Sequence, residues 1–564
     1  MVSALGLPAP PRRSAPPTAA CDNRGSMHAG WRIYAIWACC AARLAFYAAM
    51  LPLWEGFDEW AHFSTIRAMA GGHGALAPRD ASVPRDVAES LNLAPVAWEL
   101  RQYPPPAVTQ DAFWTLPAEE RQRRETAFRD MPAAWRTERG PQSPTAYEAL
   151  QPPLYYWLMA PVARLLAGRS LAAQVLAIRW LSALVASLVI PLVYLVARAV
   201  FADIRIALGC AAVAALMPEW ALDVARVGND CLSAVFFAGV LWLGLKLLEE
   251  GPRLRWAAAL GLALGLGLLT KAWFLTAAPA AALPFLWLAR GGRIAQAARA
   301  GAVTAGIAVA ISGWWYARNL AETGTLSGLS EAVVLRHAGA AEMASGALRV
   351  PWIRAIDSIL FSHLYFGGWS SLEVRSWMYH LFYVVILLAA IGLGRMSRWP
   401  RRAAVAWLLA VYLAFWAGQL YNVVLIHLSK GVPTSMGWYL YAVVAAEVVL
   451  AVTGLRAILP EKAGNWPVAG GVLLFGLLDL YTMHAVAIPY YTGMIRHKVS
   501  GALGALHAAD FQAVGFSEAA RRLTVFKGGV VTEPVVVALW AAYLLGTAAL
   551  LAAGWRLSRR NILR

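Results

Sequence analysis

The chain has 564 residues, 59% of them hydrophobic and 14% charged, with a formal net charge of +17. Soluble domains carry about 25% charged residues, and a soluble chain of this length would divide into several cores, so the composition excludes an ordinary soluble protein. Most of the excess Arg lies in short loops between apolar blocks, where it orients helices. No basic helix with interleaved aromatics accompanies it, so no nucleic-acid partner is expected.

Residues 1–30 are rich in Pro, Ala and Ser and include Arg12, Arg13 and Arg24, the composition of a disordered cytoplasmic tail. An apolar block from Ile33 to Trp54 follows. It is long and begins late for a cleaved signal peptide, so it is expected to stay as a span. Further apolar blocks lie near 176–198, 206–222, 229–248, 256–270, 272–289, 299–317, 378–394, 403–424, 437–455, 467–486 and 533–555. Blocks of roughly 17–25 residues cross a bilayer as helices, which satisfy their backbone polar groups internally. The alternating strands of a barrel are absent. The expected fold is therefore an all-α polytopic membrane protein with about 12 transmembrane helices.

Positive charge fixes the expected orientation. With the N-terminus inside, the inner loops carry Arg198 and Arg205; Arg253 and Arg255; Arg290, Arg293 and Arg299; Arg395, Arg398, Arg401 and Arg402; Arg456 and Lys462; and Arg556, Arg559, Arg560 and Arg564. The short outer loops carry Arg226, Lys271 and Lys430. Both termini are then cytoplasmic, and the protein is expected in the cytoplasmic (inner) membrane with its site facing outward. This pattern requires that Pro152–Gly168, which is short and contains Pro161 and Arg164, lie at the outer interface rather than cross. Three long outer segments result: 55–175, 318–377 and 487–532. The expected organisation is a tail (1–30), a transmembrane catalytic module (31–460) whose large first outer loop carries juxtamembrane helices, and a C-terminal transmembrane pair (461–564). No tandem repeat is evident, nor a pair of broken helices at matching places in two halves. The five Cys (Cys21, Cys39, Cys40, Cys210 and Cys231) show no metal-site spacing.

Where the first span ends, the sequence reads W-E-G-F-D-E-W-A-H-F, with Glu55, Asp58, Glu59 and His62 among Trp54, Phe57, Trp60 and Phe63. If Asp58 opens a helix, it shares a face with His62. Acidic residues also favour ordinary helix starts. A carboxylate cluster beside a bilayer and among aromatics is nevertheless a candidate general base with an orienting partner. Asp58, Glu59 and His62 are thus the candidate catalytic residues. The Asp58–Glu59 pair is also the candidate ligand set for a divalent cation, Mg or Mn.

These residues carry a resemblance. F-D-E-W-A-H-F resembles the D-E-x-x-H-F signature in the first outer loop of GT-C glycosyltransferases, membrane enzymes that take a sugar from a polyprenyl-phosphate donor. Protein O-mannosyltransferases and the lipid A aminoarabinose transferase are relatives. P-P-L-Y-Y from Pro152 to Tyr156, A-R-V-G-N-D-C-L from Ala225 to Leu232, G-L-x-x-L-T-K ending at Lys271, and W-W-Y-A-R-N from Trp314 to Asn319 are similar to further elements of that superfamily, in the same order. The likeness covers residues 33–460 and is nearest an uncharacterised bacterial branch. One departure is Trp438 in G-W-Y-L-Y, where related sequences often have Arg.

The resemblance implies a lipid-linked sugar donor and a glycan, lipid or protein acceptor at the membrane, with Asp58 as general base of an inverting transfer. Tyr155, Tyr156, Asp223, Arg226, Asp230, Lys271, Arg318 and Asn319 are the candidate substrate-binding residues. A Lys point charge or a bidentate Arg suits a lipid phosphate, although snorkelling or interface anchoring would also explain them. Segment 318–377 adds His337, Arg349, Arg354, His363 and Arg375 among Trp352, Trp369 and Trp377, a composition suited to a headgroup or to anionic lipid. No P-loop or dinucleotide fingerprint points to a nucleotide sugar. Two other classes remain open: a transporter or flippase of lipid-linked glycans, for which ionisable residues belong mid-span, as Glu447 and Asp479 are, and an assembly subunit with a degenerate site.

Overall fold

A computed structural model describes residues 23–72, 76–101, 107–140, 143–460 and 463–559. Most of the N-terminal tail, with Cys21, lies outside the described residues, as do Lys462, Arg560 and Arg564. The first helix begins at Asn23, so the end of the tail expected over 1–30 is helical instead.

All twelve apolar blocks fold as helix, but they do not all cross alike. Nine stretches among the described residues are long and apolar enough to span: Gly30–Met50, Leu171–Val200, Asp230–Glu250, Ile294–Thr323, Ser376–Leu393, Arg402–Lys430, Gly437–Ile458, Trp466–Tyr491 and Glu533–Leu557. The chain is a multi-pass membrane protein. The block near 206–222 is a bent pair, Ile204–Leu216 and Pro218–Val224, turning by 64°. Pro218 supplies no N–H to the preceding turn and starts a new helix. The blocks near 256–270 and 272–289 form Leu254–Leu268 and the pieces Phe274–Ala280 and Leu283–Arg290. Pro279 and Pro284 flank the interruption. The expected dozen is therefore nine full-length spans, one bent pair and two short members.

Hydrocarbon offers no hydrophobic drive between helices, so close packing of small residues and internal polar pairs hold such bundles. A Cβ on Gly392 would run into the Gly454 carbonyl, and one on Gly454 into that of Ala389. Arg43 of the first span meets Asp479 at 2.6 Å, and the Tyr47 hydroxyl donates to the same carboxylate at 2.5 Å. Glu447, the other mid-span acid, lies 2.7 Å from His363 Nε2. Both mid-span acids thus have partners.

Helix Leu154–Leu165 has 12 residues, about 18 Å at 1.5 Å per residue, too short for a hydrocarbon core of about 30 Å. Its Arg164 donates to the carbonyls of Met69 and Ala70, tying it to the helix Glu59–Ala70. The long segments at this end of the bundle form one layer. Val96 and Thr109 bridge within the first. Trp114 Nε1 donates to the Tyr491 carbonyl at 2.8 Å, and Asp111 accepts the His497 backbone N–H at 2.9 Å. Lys527 donates to the Ala49 and Met50 carbonyls at the end of the first span. This layer roofs the site.

Candidate functional site

A cavity of about 800 Å³ opens beneath the layer, and Asp58, His62, Glu148, Arg226, Asp230 and Lys271 lie on its wall. Its farther part is lined by Glu331, Lys430, Tyr421 and Thr434, and its aromatic side by Trp369, Trp438 and Tyr439.

Asp58 sits immediately before helix Glu59–Ala70 with φ 56°, in the left-handed region. Trp54 is also left-handed, with φ 65°. Such conformations in non-glycine residues cost on the order of 1–3 kcal/mol each and persist where the surroundings enforce them. Here the tight bend brings Asp58 to the cavity while Glu59 turns inward. Gly56 makes the bend possible, because a Cβ there would strike the side chain of Arg226. The Tyr147 hydroxyl donates to Asp58 at 2.5 Å. Burial raises the Asp58 pKa, opposed by that hydrogen bond and by the charges of Arg226 and Lys271.

Glu59 is not at the cavity. Its carboxylate is fully buried against Arg179, with Nε to Oε1 at 2.6 Å and Nη2 to Oε2 at 2.5 Å. It also accepts the backbone N–H groups of Trp54 and Val227. Arg179 in turn donates to the Leu51 and Pro52 carbonyls. The expectation that Glu59 joins Asp58 in catalysis or metal binding is corrected here: its lone pairs are committed to a structural staple, and the pair does not form a shared ligand set. Among the described residues no three His, Cys, Asp or Glu gather in a metal-holding group.

His62 keeps to the Asp58 side. Its Nδ1 shares a hydrogen bond with the Tyr156 hydroxyl at 2.8 Å and lies 3.5 Å from Glu148 Oε2. Burial, with Arg226 nearby, lowers its pKa well below the usual value. Tyr155 shares a hydrogen bond with Ser182 at 2.8 Å and accepts the Gly228 N–H at 3.0 Å. Neither Tyr155 nor Tyr156 lines the cavity. The P-P-L-Y-Y element contacts His62 and the 225–229 turn, so these tyrosines, expected to bind substrate, stand behind the cavity wall.

That turn delivers Arg226, and Lys271 comes from just past the end of helix Leu254–Leu268. Arg226 donates to Asp223 at 2.9 Å, to Asp230 at 2.6 Å and to the Phe57 carbonyl at 2.6 Å. Lys271 pairs with the other oxygen of Asp230 and sits 5.0 Å from the centre of the Tyr439 ring. Arg226, Asp230 and Lys271 thus form one buried network on the cavity wall, with Asp223 behind it. Phe57, which separates the acidic bend from the aromatic side, stacks on Trp438 with centroids 3.5 Å apart and planes 6° apart.

Arg318 and Asn319 do not reach the cavity. Arg318 pairs with Glu322 at 2.7 Å and lies over the Trp315 ring. Asn319 donates to the Leu326 and Ser327 carbonyls and accepts from Arg79. The pair lies at the C-terminal end of a 30-residue helix and faces the turn after it. That turn carries Ser327, Leu329 and Glu331 to the far wall. Asn319 holds that turn, whereas Arg318 pairs within its own helix. His363, expected on a headgroup-facing loop, is likewise internal, held by Glu447 and the Gly437 carbonyl.

Sequence reasoning missed Tyr147, Glu148, Glu331 and Lys430 as cavity residues. Tyr147 and Glu148 stand just ahead of the Pro152–Tyr156 element, so beginning that element at the prolines cut them off. Lys430 was counted for orientation only.

The family described as dolichyl-phosphate-mannose-protein mannosyltransferase matches residues 150–316. The matched stretch contains Arg226, Asp230 and Lys271. No curated protein matches the chain in sequence. Among solved structures, ArnT from Cupriavidus metallidurans bound to undecaprenyl phosphate is 14% identical, with a TM-score of 0.45, covering 94% of this chain and 78% of that one. Its apo state is 16% identical, with a TM-score of 0.44, covering 95% and 78%. The oligosaccharyltransferase AglB from Archaeoglobus fulgidus, in complex with an inhibitory peptide and a dolichol-phosphate, is 14% identical, with a TM-score of 0.32, covering 76% of this chain and 51% of that one.

Proposed function

We propose that this multi-pass membrane protein is a GT-C-type glycosyltransferase, moving a sugar from a polyprenyl-phosphate donor to a hydroxyl of an envelope glycan, lipid or protein. The observation that carries the reading is Asp58, held by a strained bend on the wall of an 800 Å³ cavity beside the Arg226–Asp230–Lys271 network. The match to a dolichyl-phosphate-mannose-protein mannosyltransferase family over residues 150–316 supports the donor class. The Arg-rich loops support a cytoplasmic-membrane protein with both termini inside and the cavity on the outer face.

In this reading Asp58 takes the proton of the acceptor hydroxyl, and the acceptor oxygen attacks the anomeric carbon from the side opposite the phosphate. The anomeric C–O bond breaks with its electron pair passing to the phosphate, and configuration inverts. General-base help of this kind is worth about 10²–10⁴-fold. Lys271 and Arg226 stabilise the phosphate charge, a contribution that is usually the larger one. Both cations are already engaged by Asp230, so the phosphate competes with that carboxylate for them. The burial that raises the Asp58 pKa also makes it a stronger base.

The test is reconstitution in vesicles with a panel of polyprenyl-phosphate sugars, followed by mass spectrometry of the lipid. Release of free polyprenyl phosphate from at least one donor is expected. Transbilayer movement of intact lipid-linked glycan with no release from any donor sinks the reading.

A further inference from the structure

Glu148 has no part in the mechanism above, yet it lines the same cavity wall as Asp58. It stands in the short turn Tyr147–Leu150, just ahead of Pro152. Its side chain is 8% exposed, and its Oε2 has no hydrogen-bond partner among the described residues. The nearest ring nitrogen, His62 Nδ1, lies 3.5 Å away and is engaged by the Tyr156 hydroxyl. A buried polar atom left unsatisfied is costly, and more so when charged. The adjacent residue treats the other carboxyl differently, since Tyr147 donates its hydroxyl to Asp58. Two carboxyls on one wall therefore have unlike surroundings, one supplied with a donor and the other with an enclosed oxygen, Oε2, that has no hydrogen-bond partner among the described residues.

We infer that Glu148 is a second functional carboxyl, opposite in role to Asp58: it donates a hydrogen bond to the phosphate of the lipid-linked donor while Asp58 receives the acceptor proton. The inference rests on the transferase reading of the cavity and names the group that receives the phosphate beside the cations. Burial pushes the Glu148 carboxyl up to about 8, and the Asp58 charge adds to the shift. The titratable and charged groups facing it are Asp58, Asp230, Lys271, Arg226 and His62, with Tyr156 behind. Burial raises both carboxyls, and the Tyr147 hydrogen bond opposes the shift at Asp58 alone.

Charge balance gives the reason. With Glu148 ionised, the near wall presents the carboxylates of Asp58, Asp230 and Glu148 to the cations Arg226 and Lys271, and an entering phosphate meets surplus negative charge. With Glu148 protonated, the wall carries one negative charge fewer, and the site gains an O–H donor. During transfer the Glu148 proton stays on Glu148. The only proton that moves is the one from the acceptor hydroxyl to Asp58, and the electron pair of the breaking C–O bond goes to the phosphate.

The experiment has two arms, each comparing wild type, Glu148→Gln and Glu148→Ala across pH 6–10. In the binding arm, polyprenyl phosphate in vesicles raises the Tm of wild type near neutral pH and loses this effect above pH 8. Glu148→Gln, a neutral donor of similar shape, keeps the stabilisation throughout, and Glu148→Ala lacks it. In the turnover arm, donor consumption by wild type falls about tenfold per pH unit above pH 8. Glu148→Gln stays within about threefold of wild type at neutral pH and loses that alkaline fall. Glu148→Ala shows a KM for donor raised about tenfold or more. A Glu148→Gln protein as inactive as Asp58→Asn, one that keeps the wild-type alkaline fall, or a Glu148→Ala protein that binds polyprenyl phosphate normally overturns the inference. If wild type consumes no donor, the transferase reading fails, and the binding arm still decides the role of Glu148.

Discussion

Glu59 and Arg179 form a two-point fork, 2.6 and 2.5 Å, with both side chains wholly buried. The next residue along the chain toward the N-terminus, Asp58, opens onto the cavity. Two adjacent carboxylates thus serve different ends. One clamps the end of the first span to Leu171–Ser187 through Arg179, and the other faces the cavity. Removing one member of a buried pair strands the other charge and costs about 3–5 kcal/mol. Glu59→Ala and Arg179→Ala are therefore expected to lose yield and lower the Tm sharply in detergent, while Asp58→Asn folds with a Tm close to wild type. Equal losses at Asp58 and Glu59 would contradict this division.

Lys271 shares Asp230 with Arg226 on the cavity wall. Lys271→Met removes a positive charge from the cavity wall, which the proposed function assigns to the donor phosphate. The expected result is a KM for donor raised about tenfold to a hundredfold, as for loss of a charge-assisted contact. Steady-state kinetics with varied donor checks it. An unchanged KM would remove Lys271 from the phosphate site.

Glu55 gives a pH prediction. Its carboxyl accepts the Ser370 N–H at 2.9 Å and the Ser370 hydroxyl at 2.8 Å, and burial pushes it up to about 8 despite these bonds. Its ordinary value is 4.5. Between 4.5 and about 8 the unfolded chain has released this proton while the folded chain retains it. The folded state binds more protons there, so the Glu55 contribution to stability is full below 4.5 and is lost as pH rises toward 8. Glu55→Gln is expected to flatten the fall of Tm between pH 5 and 8, measured by a thermal shift series. A variant with the same slope as wild type would exclude Glu55 as its source.

Arg318 pairs with Glu322 outside the cavity, whereas Asn319 fastens the turn that supplies the far wall. Arg318→Ala is expected to leave turnover within about twofold, as for a surface ion pair. Asn319→Ala loosens the 324–331 turn and lowers kcat/KM further. Accelerated hydrogen exchange confined to that turn is the accompanying sign. A larger loss at Arg318 than at Asn319 would return Arg318 to the site.

Much of this architecture is legible in the sequence because membrane helices are written in long apolar blocks and Arg clusters. The blocks near 206–222 and 272–289 are less legible, since Pro218, Pro279 and Pro284 break helices without changing hydropathy. Asp58 was legible from its aromatic neighbours at a membrane boundary. Glu59 was misassigned because its partner Arg179 lies on a distant span, and no local pattern announces that fork. Arg318 has the chemistry of a phosphate ligand, but its position on the long helix points it toward Glu322. Glu148 escaped because a lone Glu before a proline pair carries no periodic signal, and only the fold brings it to the wall occupied by Asp58.

Asp58 is the residue on which the proposed transfer turns, and donor consumption by Asp58→Asn beside wild type measures its part, with equal Tm as the condition. The expected result is a loss of turnover of about 10² or more, with KM for the lipid donor little changed. Turnover by folded Asp58→Asn within about twofold of wild type would contradict the account.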